Sequence, residues 1–554
     1  MPPGVSASCV PCPPARSSCH TLCSSPNSPE AGPTAAQQGA LAIVLHAHLP
    51  ECRRPGQPAS LEETWFFEAM AECYLPLVQA LDRLEADRVP GSFTLSISPP
   101  LLAMLRDPAL LERFETRLQD TLTLADRDSG HISRELAAVA AWHAARLRSV
   151  LKTFRERCRR DLPGTLLALH RAGRIELATT AATHAFLPAH QSNPAAIRAQ
   201  IRIGLDAFET TFGFRPRFFW LPECGFFPGL DSHLAAEGIR TTGLESHGVR
   251  QARPRPAAGV RRALRCPSSG LMVLGRDNEI SRIVWSAAEG YPGDPCYREF
   301  YRDRIHDFAA AELPPSFAGR HLPAGLKYWR VTGCETKRLY DRDAALARVR
   351  DHAEDFVGRL RHGVARESGV WFAPFDAELF GHWWFEGPEW LERVLRKVAA
   401  EPRLEACNAS EAAARFPGDT AMPAASTWGQ HGDFSFWINR DTAWIYPQLN
   451  MAWARFTALL RAHRGDADPL TRRALRHAGR LLLLAQASDW PFLIRAGVSV
   501  GTAMEQLAAL LADFDTLAEG IASRQIDPAH LAASEAAHPL FENLDLAAFD
   551  DAAC

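Results

Sequence analysis

Titratable residues follow several short apolar runs in this sequence, and their types suggest shared chemistry. His46 and His48 come after LAIVL (41–45), and His184 comes shortly after RIELATT (174–180). Glu223 follows RFFWL (217–221) and a proline, and Asp376 follows VWFAPF (370–375) within WFAPFDAELFGHWWFEG (371–387). Trp220, Trp371, Trp383 and Trp384 lie in the same segments. Two carboxylates brought in by different strands are what glycoside chemistry needs, one ionised as nucleophile or base and one protonated as acid. Indole faces suit the flat C–H faces of sugar rings. Taken singly, each residue has an ordinary structural reading: a hydrogen-bonded histidine, a helix-capping glutamate, a core tryptophan. Trp383 and Trp384 are expected to split, one inward and one toward ligand. Joint occurrence after strands is what points to a site, because catalytic groups in parallel barrels project from the C-terminal ends of strands.

The elements that must position these groups read as α/β. LAIVL, SFTLSIS (92–98), RIELATT, RFFWL and VWFAPF have the composition of strands buried on both faces. Helical patterns lie between them, including 62–84 and 341–360. Such alternation predicts a parallel sheet, doubly wound or closed into a barrel. No G-x-G-x-x-G turn follows any of these strands, which weakens a dinucleotide-binding reading. Beyond about Asn439 the pattern becomes helical: Met504, Leu507, Leu511, Phe514 and Leu517 recur at helical spacing. GRLLLLAQASDWPFLI (479–494) reads as an apolar helix ending at Asp489-Trp490-Pro491. The stretch from about 248 to 269, rich in Pro, Arg and Ala without periodicity, reads as a long surface loop or lid.

The 554 residues are 47% hydrophobic and 23% charged, enough to bury more than one core. Lys and Arg number 61 against 64 acids, with no basic stripe, so neither nucleic acid nor a membrane surface is expected as a partner. No apolar run is long enough to span a bilayer. Residues 1–38 are rich in Pro, Ser, Gly and Ala and read as a disordered extension. Four of the 13 cysteines lie there (Cys9, Cys12, Cys19, Cys23) beside His20, but without the turn and helix signals of a structural zinc site. The others show no pairing pattern, as expected for a reducing cytoplasm.

HAHLP (46–50), ATTAATH (178–184), FWLPE (219–223), FDAELFGHWW (375–384) and STWGQHGDFSFW (426–437) occur in the order of the five sequence regions of glycoside hydrolase family 57, which the chain resembles. The likeness is closest to the family's 1,4-alpha-glucan branching enzymes, with further agreement at 284–303, KYWRVTG (327–333) and ASDWPF (487–492), and runs from about Leu41 to Leu517. It implies an incomplete parallel (β/α)7 barrel over 39–425 with an insertion around 228–345. It also implies a helical C-terminal domain over 426–545 that completes the cleft. The implied reaction is a retaining double displacement on an alpha-1,4-glucan, by a monomer, without cofactor or metal. Carried onto this sequence, Glu223 becomes the nucleophile and Asp376 the general acid/base. His46, His48 and His184 would line the subsite under attack; Arg276, Gly290, Trp428 and Asp489 would contact substrate; Trp285 and Trp437 would be acceptor-side platforms.

One departure bears on the outcome. The family's branching enzymes carry a loop tyrosine in a segment resembling P-x-Y-G, and here PAAG (256–259) puts Ala258 at that position. A closing aromatic excludes water and positions the acceptor, so its loss favours hydrolysis. A hydrolase or 4-alpha-glucanotransferase of the same fold is therefore the near alternative. Two remoter readings are a metal-dependent hydrolase ligated by His46 and His48, with His184 as a third ligand, and an idle glucan-binding protein.

Overall fold

The computed structural model describes residues 38–53, 60–131, 133–286, 288–307, 313–314, 317 and 322–549. The expected N-terminal extension, with its four cysteines and His20, lies outside the described residues apart from Gln38. Among the described residues ten strands are present: β1 (Gly39–Ala47), β2 (Phe93–Ile97), β3 (Ile175–Ala178), β4 (Phe218–Phe219), β5 (Thr241–Leu244), β6 (Ala263–Arg265), β7 (Met272–Gly275), β8 (Gly369–Asp376), β9 (Leu404–Ala406) and β10 (Pro417–Thr420). They form two sheets, one ordered β3-β2-β1-β8 with β9 also on β1, the other β10-β6-β7-β5-β4. All pairings are parallel except β6 with β7.

Register aligns the strand ends that matter. His46 stands opposite both Ser96 on β2 and Asp376 on β8, and Ser96 opposite Ala178 on β3. β1 is buried along its whole length, as an apolar run covered on both faces should be. The expected RFFWL strand shortens to Phe218–Phe219, since the chain turns at Pro222–Cys224 to present Glu223.

β5, β6 and β7 fall inside the stretch expected as an insertion (228–345) and form the second sheet together with β4 and β10. Two expectations need correction. The stretch 248–269 is not a free lid: it contains β6, Val260, Leu264 and Cys266 are core residues, and the Arg261 carbonyl accepts from Val370 N at the start of β8. Asp489-Trp490-Pro491 does not end the apolar helix. That helix, Pro469–Ala485, stops earlier, and Asp489 opens the next, Asp489–Ala496, with Pro491 in its first turn, where a missing N–H costs nothing.

The expected helix 62–84 is real but interrupted. Leu61–Ala69 and Leu75–Ala86 flank a π-helical turn at Met70–Tyr74. Toward the end of the chain, helices Ile445–Ala462, Pro469–Ala485, Asp489–Ala496, Val500–Ser523 and Pro528–Ala537 follow one another. Their core joins Leu481–Ala485, Leu507 and Phe514 to Ala195, Ala199 and Ile203 of helix Pro194–Phe212, which lies between β3 and β4 in the chain. No helix among the described residues is long and apolar enough to cross a membrane.

Candidate active site

Glu223 sits in a three-residue 3-10 turn with φ +58°, a left-handed conformation that an L side chain adopts at a cost of about 1–3 kcal/mol. His184 is left-handed as well (φ +55°). The Glu223 carboxylate is firmly held. Trp428 Nε1 donates to Oε2 at 3.0 Å and Ser488 Oγ donates to Oε1 at 2.9 Å. Burial pushes its pKa up, and those two donors pull it back toward the anion.

The donor Ser488 fixes a chain of protons. Because its hydroxyl hydrogen goes to Glu223, its oxygen must accept from His184 Nδ1 at 2.9 Å. His184 Nε2 then accepts from His46 Nε2 at 2.9 Å, and His46 Nδ1 faces Ser96 Oγ at 3.4 Å. Both imidazoles are neutral in this arrangement. Burial first, then the neighbouring His48, depresses both of their pKa values well below the usual range.

His48 is the opposite case. Burial disfavours its charge, but Asp489, whose Oδ1 lies 3.2 Å from His48 Nε2, outweighs it together with Glu223 and Glu378, and the pKa rises. Its other nitrogen meets Ser98 Oγ at 2.9 Å. The three imidazoles stack, with centroids 4.0 Å apart for His48 and His184 and 4.8 Å for His46 and His184.

Asp376 ends β8, and its pKa is raised well above the carboxylate range. Burial is the main cause, followed by the like charges of Glu378 and Glu223, with Arg276 opposing. Two carboxyl groups thus stand in one field with different tasks available. Glu223 has donors that favour its anion, whereas Asp376 has surroundings that keep a proton.

Arg276 follows β7, donates from Nη1 to Glu245 Oε2 at 3.1 Å, and has a buried Nε without a protein partner. Aromatic rings line up nearby: Trp220 and Trp428 are 5.1 Å apart, Trp428 and Trp285 6.3 Å and nearly parallel, and Trp285 and Trp383 6.2 Å and perpendicular. Trp383 is 38% exposed and Trp384 only 1%, the split expected of that pair. Gly290 has a backbone reason: a Cβ there would lie 2.5 Å from the Ser286 carbonyl. Trp437 is a correction. It is 1% exposed and stacked on Phe186 at 4.7 Å, so it offers no face to a sugar.

The metal reading gains no support from this geometry. His46 and His184 spend their Nε2 atoms on each other and His48 turns to Asp489. Among the described residues the one group with metal-like spacing is Glu68, Glu72 and His382, where Arg298 and Lys327 already neutralise the carboxylates. Sequence reasoning missed Ser96, Ser98, Ser488, Glu378 and Tyr74. Ser488 and Glu378 sit inside quoted motifs, next to Asp489 and two residues past Asp376; Tyr74, in a helical stretch, carries no such signal.

Residues 42–425 match glycosyl hydrolase family 57. The chain belongs to that family. Residues 448–549 match the C-terminal region described as 1,4-alpha-glucan branching enzyme, C-terminal. A curated 1,4-alpha-glucan branching enzyme of Thermococcus kodakarensis is 32% identical over 524 residues, covering 87% of this chain and 73% of that protein. A probable 1,4-alpha-glucan branching enzyme of Mycobacterium tuberculosis is 30% identical over 485 residues, covering 82% and 87%. Among solved structures, the family 57 branching enzyme of the Thermococcus species superposes with TM-score 0.82 at 30% identity over 92% of this chain and 96% of that one. A structure described as a novel alpha-amylase from Thermotoga maritima gives 0.85 at 34% identity over 92% and 99%.

Proposed function

We propose that this protein is a 1,4-alpha-glucan branching enzyme, cleaving alpha-1,4 linkages and transferring the chain to a 6-hydroxyl in glycogen-type polysaccharide metabolism. One observation carries the reading. Ser488 and Asp489, from the region that matches the branching-enzyme C-terminal part, reach Glu223 and His48 directly, so that region helps build the centre.

In this reading Glu223 attacks the anomeric carbon while Asp376 gives its proton to the departing glycosidic oxygen; Asp376 then takes a proton from the incoming hydroxyl. Stereochemistry is retained because two displacements occur at one carbon. Arg276 binds sugar hydroxyls, His48 lines the subsite, and Trp285, Trp383 and Trp428 supply stacking faces. The strands β1, β2, β3, β4, β5, β7 and β8 form one incomplete seven-stranded barrel, a reading supported by the isolated parallel bridges Thr179–Phe219 and Arg276–Phe372 at the two seams between sheets. The helices from Ile445 onward form a C-terminal domain closing the cleft.

The second reading is an alpha-amylase, favoured by the likeness to the Thermotoga structure. Incubation with amylose, followed by reducing-end counting and by debranching of the product, separates the two. New alpha-1,6 linkages support transfer; reducing ends without branches support hydrolysis and overturn the branching assignment.

A further inference from the structure

Glu378 is a carboxylate that the two-acid scheme does not use, yet it sits where three elements of the centre meet. It lies two residues beyond Asp376, and its Oε1 accepts from the backbone N of His48 at 3.2 Å and from the hydroxyl of Tyr74. His48 comes from the end of β1, and Tyr74 from the π-helical turn Met70–Tyr74. Such turns arise where an inserted residue re-aims a side chain, often at functional sites. The same turn sends Cys73 Sγ to the Ala377 carbonyl at 3.0 Å. Gly381, left-handed at φ +118°, brings the following segment against Glu72, where any Cβ would meet the carbonyl oxygen. The side chain of Glu378 is almost fully buried. A buried carboxylate costs several kcal/mol unless paired, and among the described residues no cation neutralises it by direct contact; its partners are a hydroxyl and an amide.

We propose that Glu378 is a positioning residue of the centre, one that ties the His48 main chain to the π-helical turn and sets the electrostatic field at Asp376. The inference rests on the glucan reading above. The groups facing Asp376 and Glu378 are His48 with its partner Asp489, Glu223, Tyr74, Cys73 and, opposing the negative charges, Arg276. A negative charge beside Asp376 favours its protonated form, the form a general acid needs. Glu378 therefore acts through Asp376 and His48 rather than on the sugar.

Glu378→Gln tests this, because the amide oxygen still accepts from Tyr74 and His48 while the charge is gone. With the like charge removed, Asp376 releases its proton more readily. The alkaline limb of the kcat/KM profile on amylose is expected to move to lower pH by about one unit, a loss of about tenfold above the limb. Tyr74→Phe keeps the carboxylate but removes the donor that favours its anion, so Glu378 ionises later and the limb moves the same way by less. This second variant decides the case if Glu378→Gln fails to fold or has no turnover. A merely structural Glu378 would leave the limb in place, and an unmoved limb in folded, active variants overturns the proposal. A native protein inert on amylose overturns the glucan reading and this role with it, whereas an active native protein with unmoved variants overturns this role alone.

Discussion

Glu378→Gln should also change stability in a pH-dependent way whose size follows from the structure. Burial raises the Glu378 pKa from its ordinary 4.5 to about 7, with the Tyr74 hydroxyl and the His48 amide only partly opposing. The folded state thus holds this proton more tightly than the unfolded chain. Its contribution is fully present below pH 4.5 and is lost as the pH rises to about 7. The gap corresponds to about 3 kcal/mol, an upper figure since relaxation around the anion reduces it. Glutamine cannot ionise and escapes this loss. Urea unfolding of native and variant protein at pH 5 and at pH 8 isolates the effect, because packing differences between Glu and Gln are common to both. The variant should gain up to about 2.5 kcal/mol relative to native between the two conditions, since part of the loss already falls below pH 5. Equal stability differences at pH 5 and pH 8 would falsify the reasoning and mean that the Glu378 anion is adequately solvated or paired.

Glu223→Gln keeps shape but removes the attacking charge, and activity on amylose should fall by orders of magnitude while circular dichroism stays native; near-normal turnover would remove the nucleophile assignment. Trp428→Phe keeps a ring but deletes the 3.0 Å donor to Glu223, so Glu223 ionises less readily and the acid limb of kcat/KM should move to higher pH by about one unit, a loss of about tenfold below the limb. An acid limb that stays put would show that Ser488 suffices. Ala258→Tyr, expected from sequence alone to restore transfer, should leave the ratio of new alpha-1,6 linkages to new reducing ends unchanged. Ala258 O binds Arg261 N, Ala257 N binds Asp419, and Arg261 is tied to the first residues of β8, six residues before Asp376 and so about 20 Å away along the strand. A shift of that ratio toward branches would show that the segment can leave its tethers.

Much of the centre was readable because polar residues after buried strands have few structural reasons to converge. β1, β2, β3 and β8 fall where their apolar runs are, and His46, His184, Glu223 and Asp376 come together as their positions suggested. β5 was not readable, since TTGL lacks a strand's apolar signal. Gly243 leaves the space in which the Phe372 ring sits, 2.5 Å from where a Cβ would be, so the missing bulk is supplied by a strand far away in sequence. Trp437 misled for a related reason. Gly429 makes room for its indole and Phe186 covers its face, and neither relation is visible in the motif STWGQHGDFSFW.

What sequence conceals most is the part of the centre that depends on distance along the chain. His48 and Asp489 are 441 residues apart, and Ser488 reaches Glu223 across 265. Left-handed backbone at His184 and Glu223 is equally silent, because nothing in the residue types announces it. These two facts belong together. A strained turn costing about 1–3 kcal/mol persists only if its surroundings over-determine it, and Ser488 supplies that by accepting from His184 and donating to Glu223 at once, while its own N–H binds the His184 carbonyl. The helices after Ile445 are therefore more than a lid over a finished site: through one serine that precedes Asp489–Ala496 they hold the two strained residues in place.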